Sequence, residues 1–286
     1  MGVLTETFTL NNGVMIPKVG FGTWQMPEGA RTQGAVEQAL DLGYRHVDTA
    51  NAYGNEASVG RAVRAAMRDL GLAREDVFVT SKLPAQVKTH DGAAATVDES
   101  LANLGLDHMD LYLIHAPWPW STPDQSDDAG NLAAWSALEE ALAAGKIRAI
   151  GISNFAVHDM RNILDHADIA PAVNQILSYV GFTQPENTAF AQAHGMVVEA
   201  YSPLATGGLL TNSTIAGVAA AHGVTPAQVA IRFAIDSGVL PLPKATSEDH
   251  IRANAQLDFQ LTEDEVRTLA ALPDTDPSHP HQASQR

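Results

Sequence analysis

The apolar positions of this chain come in short β-branched runs, each followed by an amphipathic stretch at helical spacing and then a glycine where a helix would stop. Residues 19–22 lead to a helix over 33–42 before Gly43, and 46–48 to a helix over 56–70 before Gly71. Residues 77–82 precede a helix carrying Val97, Leu101 and Leu104 before Gly105, and 111–115 precede one carrying Leu138 and Leu142 before Gly145. The rhythm continues as 147–153 with 155–164, 172–175 with 185–194, and 197–201 with a helix near 226–236. Residues 239–243 with 247–254 make the eighth unit. Ahead of them, 7–10 and 14–16 flank Asn12 and Gly13, a pair suited to the positive φ angles of a tight hairpin turn. Behind them, Thr262 and Glu265 form a capping box that opens a last helix carrying Val266, Leu269 and Leu272.

Eight strand–helix units predict an α/β fold, a (β/α)8 TIM barrel of one domain over 1–286, with an N-terminal hairpin in 1–17 and a C-terminal extra helix. Residues 273–286 read as an irregular tail, and His279 and His281 in it as solvated rather than metal-binding. On rhythm alone an open doubly wound sheet also fits. No strand is followed by G-x-G-x-x-G, however, so the dinucleotide fingerprint of that fold is missing.

In a barrel the reactive face is the C-terminal end of the strands, so the polar residues that end apolar strands are the candidates. Asp48, Lys82 and His115 end the second, third and fourth runs, and Tyr53 lies in the loop after Asp48. A carboxylate and an ammonium on neighbouring strands can pair, and a cation near a phenol lowers its pKa, so Lys82 is expected to activate Tyr53 while Asp48 holds Lys82. His115 would donate to a carbonyl oxygen or relay the proton. Taken singly, each side chain also fits packing, capping or a solvated surface. Their coincidence on consecutive strands is the signal, and it does not by itself name a reaction.

Composition narrows the partners. Lys plus Arg number 17 against 33 for Asp plus Glu, a formal charge of −16, and no basic run occurs, which argues against nucleic acid or an anionic membrane. With no cysteine there is neither a thiolate nucleophile nor a Cys-ligated metal, and no metal site is expected. The opening MGVLTETFTLNNG has no signal-like pattern and no apolar run is long enough to span a bilayer, so the expectation is a cytoplasmic protein, a monomer acting on small molecules.

The stretch GYRHVDTANAYGNE at 43–56 closely resembles the signature around the catalytic Asp and Tyr of the aldo-keto reductases. VGFGTWQ, VFVTSKL, LDHMDLYLIHAPWP, GKIRAIGISNF, VNQI, VVEAYSPLATGGLL and LPLPKATSEDHIRAN occur in the family's order, so the likeness covers nearly the whole chain. Among family members the chain is similar to bacterial reductases of sugar-derived diketo acids such as 2,5-diketo-D-gluconic acid. The resemblance implies that Asp48, Tyr53, Lys82 and His115 are the catalytic tetrad, with Tyr53 protonating a carbonyl oxygen while a nicotinamide delivers hydride. It implies Gly22, Thr23, Trp24 and Asp48 beside the cofactor, Ser153, Asn154 and Gln175 on its carboxamide, and Tyr201 stacked on its ring. Ser202, Leu204 and the Thr206, Gly207, Gly208 turn match the pyrophosphate loop. Lys244 matches the residue that meets the adenosine ribose phosphate, with Ala245, Thr246, Ser247, His250 and Asn254 around it. Trp24, Tyr53, His115 and Trp118 would meet the substrate, with Trp120 a further aromatic near the mouth.

Two departures from the family pattern matter. Where many NADPH-selective members read K-S-x-x-x-x-R-I-x-E-N, this chain reads KATSEDHIRAN, so Ala245, His250 and Ala253 replace a hydroxyl, an arginine and a glutamate. A histidine gives one donor at a time and little charge at neutral pH, so NADPH is expected as cofactor with NADH also accepted. HAPWPW shifts the tryptophan of the commoner HWP arrangement. The functional expectation is reduction of aldehydes and ketones; the alternative is a nicotinamide-binding module that senses redox state while docked on a partner.

Overall fold

The computed structural model describes residues 2–123, 125–277 and 279. A two-stranded antiparallel hairpin, β1 (Thr7–Thr9) and β2 (Met15–Pro17), comes first. The alternation then runs β3 (Phe21–Gly22), α1 (Ala30–Asp41), β4 (His46–Asp48), α2 (Glu56–Asp69), β5 (Phe78–Leu83), α3 (His90–Leu104), β6 (Met109–Ile114) and α4 (Asp128–Ala143). It continues with β7 (Ile147–Ser153), α5 (Val157–His166), β8 (Val173–Leu177), α6 (Pro185–Ala193) and β9 (Val197–Tyr201). The last elements are α7 (Ser213–His222), α8 (Pro226–Asp236), β10 (Leu240–Leu242), α9 (Glu248–Ala255) and α10 (Glu263–Ala270).

Strands β3 to β10 pair in parallel, each with the next in sequence. The ends meet through Gly20 N–H to Pro241 O and Gly22 N–H to Pro243 O, both 3.1 Å, which makes the sheet a (β/α)8 barrel. Gly22 suits that seam, since a Cβ on it would stand 3.0 Å from the Leu242 carbonyl oxygen, tighter than an ordinary contact. The helices turn small and aliphatic stripes inward, such as Ala35, Val36, Ala39 and Leu40 of α1, against the outer faces of the strands. Among the described residues no single helix is long and apolar enough to cross a membrane.

Three details differ from the sequence expectation. Helix α7 has no counterpart in the apolar pattern, because its residues STIAGVAAAH lack a clear apolar stripe; Asn212 starts it by accepting from the amides of Thr214 and Ile215. Second, His279 is not solvated but 3% exposed, with its ring 5.7 Å from that of Tyr179. The described part of the tail is irregular yet tied down, because the Tyr179 hydroxyl donates to Asp274 and to the Asp276 carbonyl, each at 3.0 Å. Thr275 donates likewise to the Val180 carbonyl. His281 lies outside the described residues. The third difference, at Tyr53, concerns the site itself.

Candidate active site

Strand alternation decides what points into the barrel. His46 and Asp48 are two apart on β4, as are Thr80 and Lys82 on β5, so each pair shares a face, and all four are buried. At the C-terminal end Lys82 Nζ donates to both oxygens of Asp48 at 2.7 Å, to the Thr49 carbonyl at 2.8 Å and to the Tyr53 hydroxyl at 3.4 Å. Tyr53 arrives there on a single 3-10 turn, Asn51–Tyr53, which Gly54 ends in the left-handed region. The His115 ring, one residue past β6, stands 5.7 Å from that of Tyr53 and 5.2 Å from that of Trp120.

The second half of the 43–56 stretch holds this arrangement in place. Buried Asn55 accepts from the Thr49 hydroxyl at 2.7 Å and donates to the carbonyls of Thr23 and Met26 at 3.0 Å, joining the loops after β3 and β4. Glu56 accepts from Ser81 of β5 at 2.6 Å and from Asn103 of α3 at 3.0 Å, which fixes the start of α2. The loop after β6 is fastened separately: Lys88 donates to the Ala116 carbonyl at 2.7 Å and to Asn131 at 2.6 Å. Burial pushes the Lys88 ammonium down to about 8.

The expectation that Lys82 lowers the pKa of Tyr53 is not met. Burial, and after it the Asp48 carboxylate, raise the phenol well above its ordinary value. The physical reason is burial, which penalises the phenolate, and Lys82 offers little against it because its two short bonds go to Asp48 and only a longer one to Tyr53. Tyr53 therefore keeps its proton at neutral pH.

These residues open onto a cavity of about 590 Å³. Of the residues singled out from the sequence, Gly22, Trp24, Asp48, Tyr53, His115, Trp118, Trp120, Ser153, Asn154, Gln175, Tyr201, Ser202, Leu204, Thr206, Gly207 and Lys244 line it. Thr23, Lys82, Gly208, Ala245, Thr246, Ser247, His250 and Asn254 do not. Thr23 is buried and donates to the Asp48 carbonyl at 2.9 Å, and Ser247 is the N-cap of α9, accepting from the His250 amide. Asn154, at φ 63°, donates to the His115 carbonyl and accepts from the Tyr201 hydroxyl, both at 2.9 Å. In the turn after β9, Ser202, Ala205 and Thr206 take φ of 50°, 46° and 50°, a left-handed backbone that residues other than glycine rarely adopt.

No strand-end pattern marks Glu199 or His46, although a charged residue inside the apolar run VVEAY is a visible signal. Glu199 is fully buried in β9; its Oε2 accepts from Gln175 at 2.7 Å, and its Oε1 lies 3.8 Å from His46 Nε2. Burial, and then the charge of Asp48, push the Glu199 carboxyl up to about 8, while Gln175 and Lys82 pull the other way. Burial and Lys82 push His46 down to about 3, so it brings no cation. The unfolded chain releases the Glu199 proton above the ordinary 4.5, whereas the folded chain keeps it to about 8. Between those values the folded state binds more protons, so this group's contribution to stability falls as pH rises through the window. Urea unfolding should therefore show wild type losing stability relative to Glu199→Gln between pH 5 and pH 8.5, both values being roughly at the edges of that window. An equal pH slope for both proteins would refute the raised pKa.

The aldo/keto reductase family profile matches residues 18–274. The uncharacterized oxidoreductase YtbE of Bacillus subtilis is 39% identical, covering 92% of this chain and 91% of that protein. The glyoxal reductase of the same organism is 37% identical over 94% of this chain and 93% of its own. The crystal structure of a Bombyx mori aldo-keto reductase in complex with NADP superposes with a TM-score of 0.87 at 33% identity, covering 96% of this chain and 94% of that one. A barrel with a buried lysine–aspartate pair beneath a tyrosine, matched along nearly its full length, leaves one conclusion: this chain belongs to the aldo/keto reductase family and is an oxidoreductase.

Proposed function

We propose that the chain reduces aldehydes and ketones to alcohols, dicarbonyls, keto acids and sugar-derived carbonyls among them, with hydride from NADPH and with Tyr53 as the proton donor. The observation that carries this reading is the 3.4 Å contact of Lys82 Nζ with the Tyr53 hydroxyl at the floor of the cavity. The names of a glyoxal reductase relative and of an NADP-bound neighbour support it.

The residues present fit a nicotinamide dinucleotide. The cavity runs from Asp48 and Tyr53 past the left-handed turn after β9 to Lys244, an exposed ammonium. Among the described residues no carboxylate lies within ion-pair distance of Lys244. Desolvation and then the charge of Arg31 lower the Lys244 pKa, as expected where two cations face each other without an anion between them. Ser153, Asn154 and Gln175 would hold the carboxamide, Tyr201 the ring, Ser202 and the turn at 204–207 the phosphates, and Lys244 the ribose phosphate. When bound, the nicotinamide supplies the hydride.

The chain's own residues handle the proton. Tyr53 holds it on its hydroxyl, at the cavity wall beside His115, whose ring orients the carbonyl oxygen. As that proton leaves for the oxygen, charge grows on the phenol oxygen, and Lys82 is already in place to meet it. An interaction that strengthens only as charge develops lowers the barrier without tightening the ground state. Trp24, Trp118 and Trp120 offer flat apolar walls to the rest of the substrate.

The test is loss of NADPH absorbance on adding aldehydes, diketones and keto acids. Turnover of none of them would overturn the reading and favour a redox-sensing module docked on a partner. For cofactor choice, His250 is exposed and off the cavity, so it adds little to phosphate recognition. The ratio of kcat/KM for NADPH over NADH is expected to stay below about a thousandfold. A larger ratio in steady-state kinetics would mean that the phosphate is held by more than Lys244.

A further inference from the structure

We propose that Glu199 is a positioning residue that locks the Gln175 side-chain amide so that its carbonyl oxygen, rather than its NH2, faces the cofactor carboxamide. This rests on the reading of Gln175 as a nicotinamide contact. Gln175 is 1% exposed and Glu199 is fully buried, side by side on β8 and β9. The Gln175 amide nitrogen donates to Asp48 Oδ2 at 3.0 Å and to Glu199 Oε2 at 2.7 Å.

An amide NH2 has two hydrogens, and here two carboxyl oxygens take both. Turning the amide over would set its carbonyl oxygen against Asp48, an acceptor already bound twice by Lys82. Asp48 alone, however, leaves the amide plane free to swing about its last torsion. The shorter bond to Glu199 supplies the second fixed point. With both amide hydrogens committed, the side-chain atom of Gln175 left to meet a ligand is, among the described residues, an acceptor. A carboxamide meets it with its own NH2, which sets the rotation of the nicotinamide side group and with it the face of the ring.

The neighbours keep Glu199 suited to accept from an amide without carrying a buried charge. Oε1 faces a neutral His46, which is itself engaged with the Thr80 hydroxyl at 2.9 Å. Burial holds the proton on the carboxyl at neutral pH, which leaves Oε2 free to accept from Gln175. A glutamine at 199 would imitate this protonated form, since its carbonyl oxygen accepts from Gln175 in the same way. An aspartate would not, because its chain is one methylene shorter and its oxygen falls short of Gln175.

The test uses the purified apoprotein titrated by tryptophan fluorescence and calorimetry with NADP+ and with its 3-acetylpyridine analogue, in which a methyl group replaces the carboxamide NH2 and leaves a methyl ketone on the ring. Wild type is expected to bind NADP+ about five- to tenfold more tightly than the analogue, the worth of one hydrogen bond. Glu199→Gln is expected to keep that ratio, and Glu199→Asp to reduce it to about twofold or less while thermal melting shows a folded protein. If Glu199→Asp, or Glu199→Leu should the aspartate variant fail to fold, keeps the wild-type ratio, the positioning role is overturned. A Glu199→Gln variant that loses the ratio overturns it too, because a purely accepting partner would then not suffice. Wild type that binds neither dinucleotide overturns the cofactor reading itself, a different result from bound dinucleotides with an unchanged ratio.

Discussion

Replacing Tyr53 with phenylalanine is expected to lower kcat by about 10²- to 10⁴-fold, the usual worth of a positioned proton donor, while the fold and the NADPH dissociation constant stay as they are. Only the hydroxyl is lost. The ring keeps its place beside His115, and Lys82 keeps its bonds to Asp48 and to the Thr49 carbonyl. Single-turnover kinetics at saturating cofactor, with a fluorescence titration alongside, separate the two quantities. A variant with near-normal turnover would remove Tyr53 from the mechanism. A variant with weak cofactor binding would instead make the hydroxyl a binding contact.

The second large effect is on stability. Lys82→Met leaves the Asp48 carboxylate 4% exposed with its cation gone, and removing one partner of such a pair costs about 3–5 kcal/mol. Urea unfolding should show that loss. The double variant Asp48→Asn with Lys82→Met should recover much of it, since no unpaired charge stays buried, yet it should remain inactive because nothing meets the charge developing on Tyr53. If the double variant were as unstable as Lys82→Met, the cost would come from packing rather than from charge.

These two experiments rest on residues that were legible in the sequence, and the reason is geometric. A polar residue that ends an apolar run stands at the mouth of a barrel whatever the details, so Asp48, Lys82 and His115 could be collected before any coordinate was known. Strands β4, β7 and β9 were likewise bounded at both ends, because a β-branched run between loops leaves little freedom. Other features depend on three-dimensional surroundings that spacing does not carry. Glu199 sits inside its strand rather than at its end, so a search of strand ends passes over it. The Tyr53 phenol moved opposite to expectation because burial outweighs one shared ammonium. His279 lies in a polar stretch whose hydrogen bonds to Tyr179 link residues far apart in the chain. Family resemblance supplied the candidate cofactor residues, which no local pattern marks.

The linkage made by Asn55 has a consequence for altering the enzyme. Because one side chain clamps Thr49 to Thr23 and Met26, the segment with Trp24 and the segment with Tyr53 behave as one mechanical part. Grafting a relative's sequence after β3 would therefore shift the tyrosine together with the cavity wall around Trp24. The segment bearing Trp118 and Trp120 hangs instead from Lys88, in the loop after β5, and from Asn131, on α4. It can therefore be exchanged separately from the tyrosine, provided that Trp120, whose ring stands 5.2 Å from that of His115, is kept.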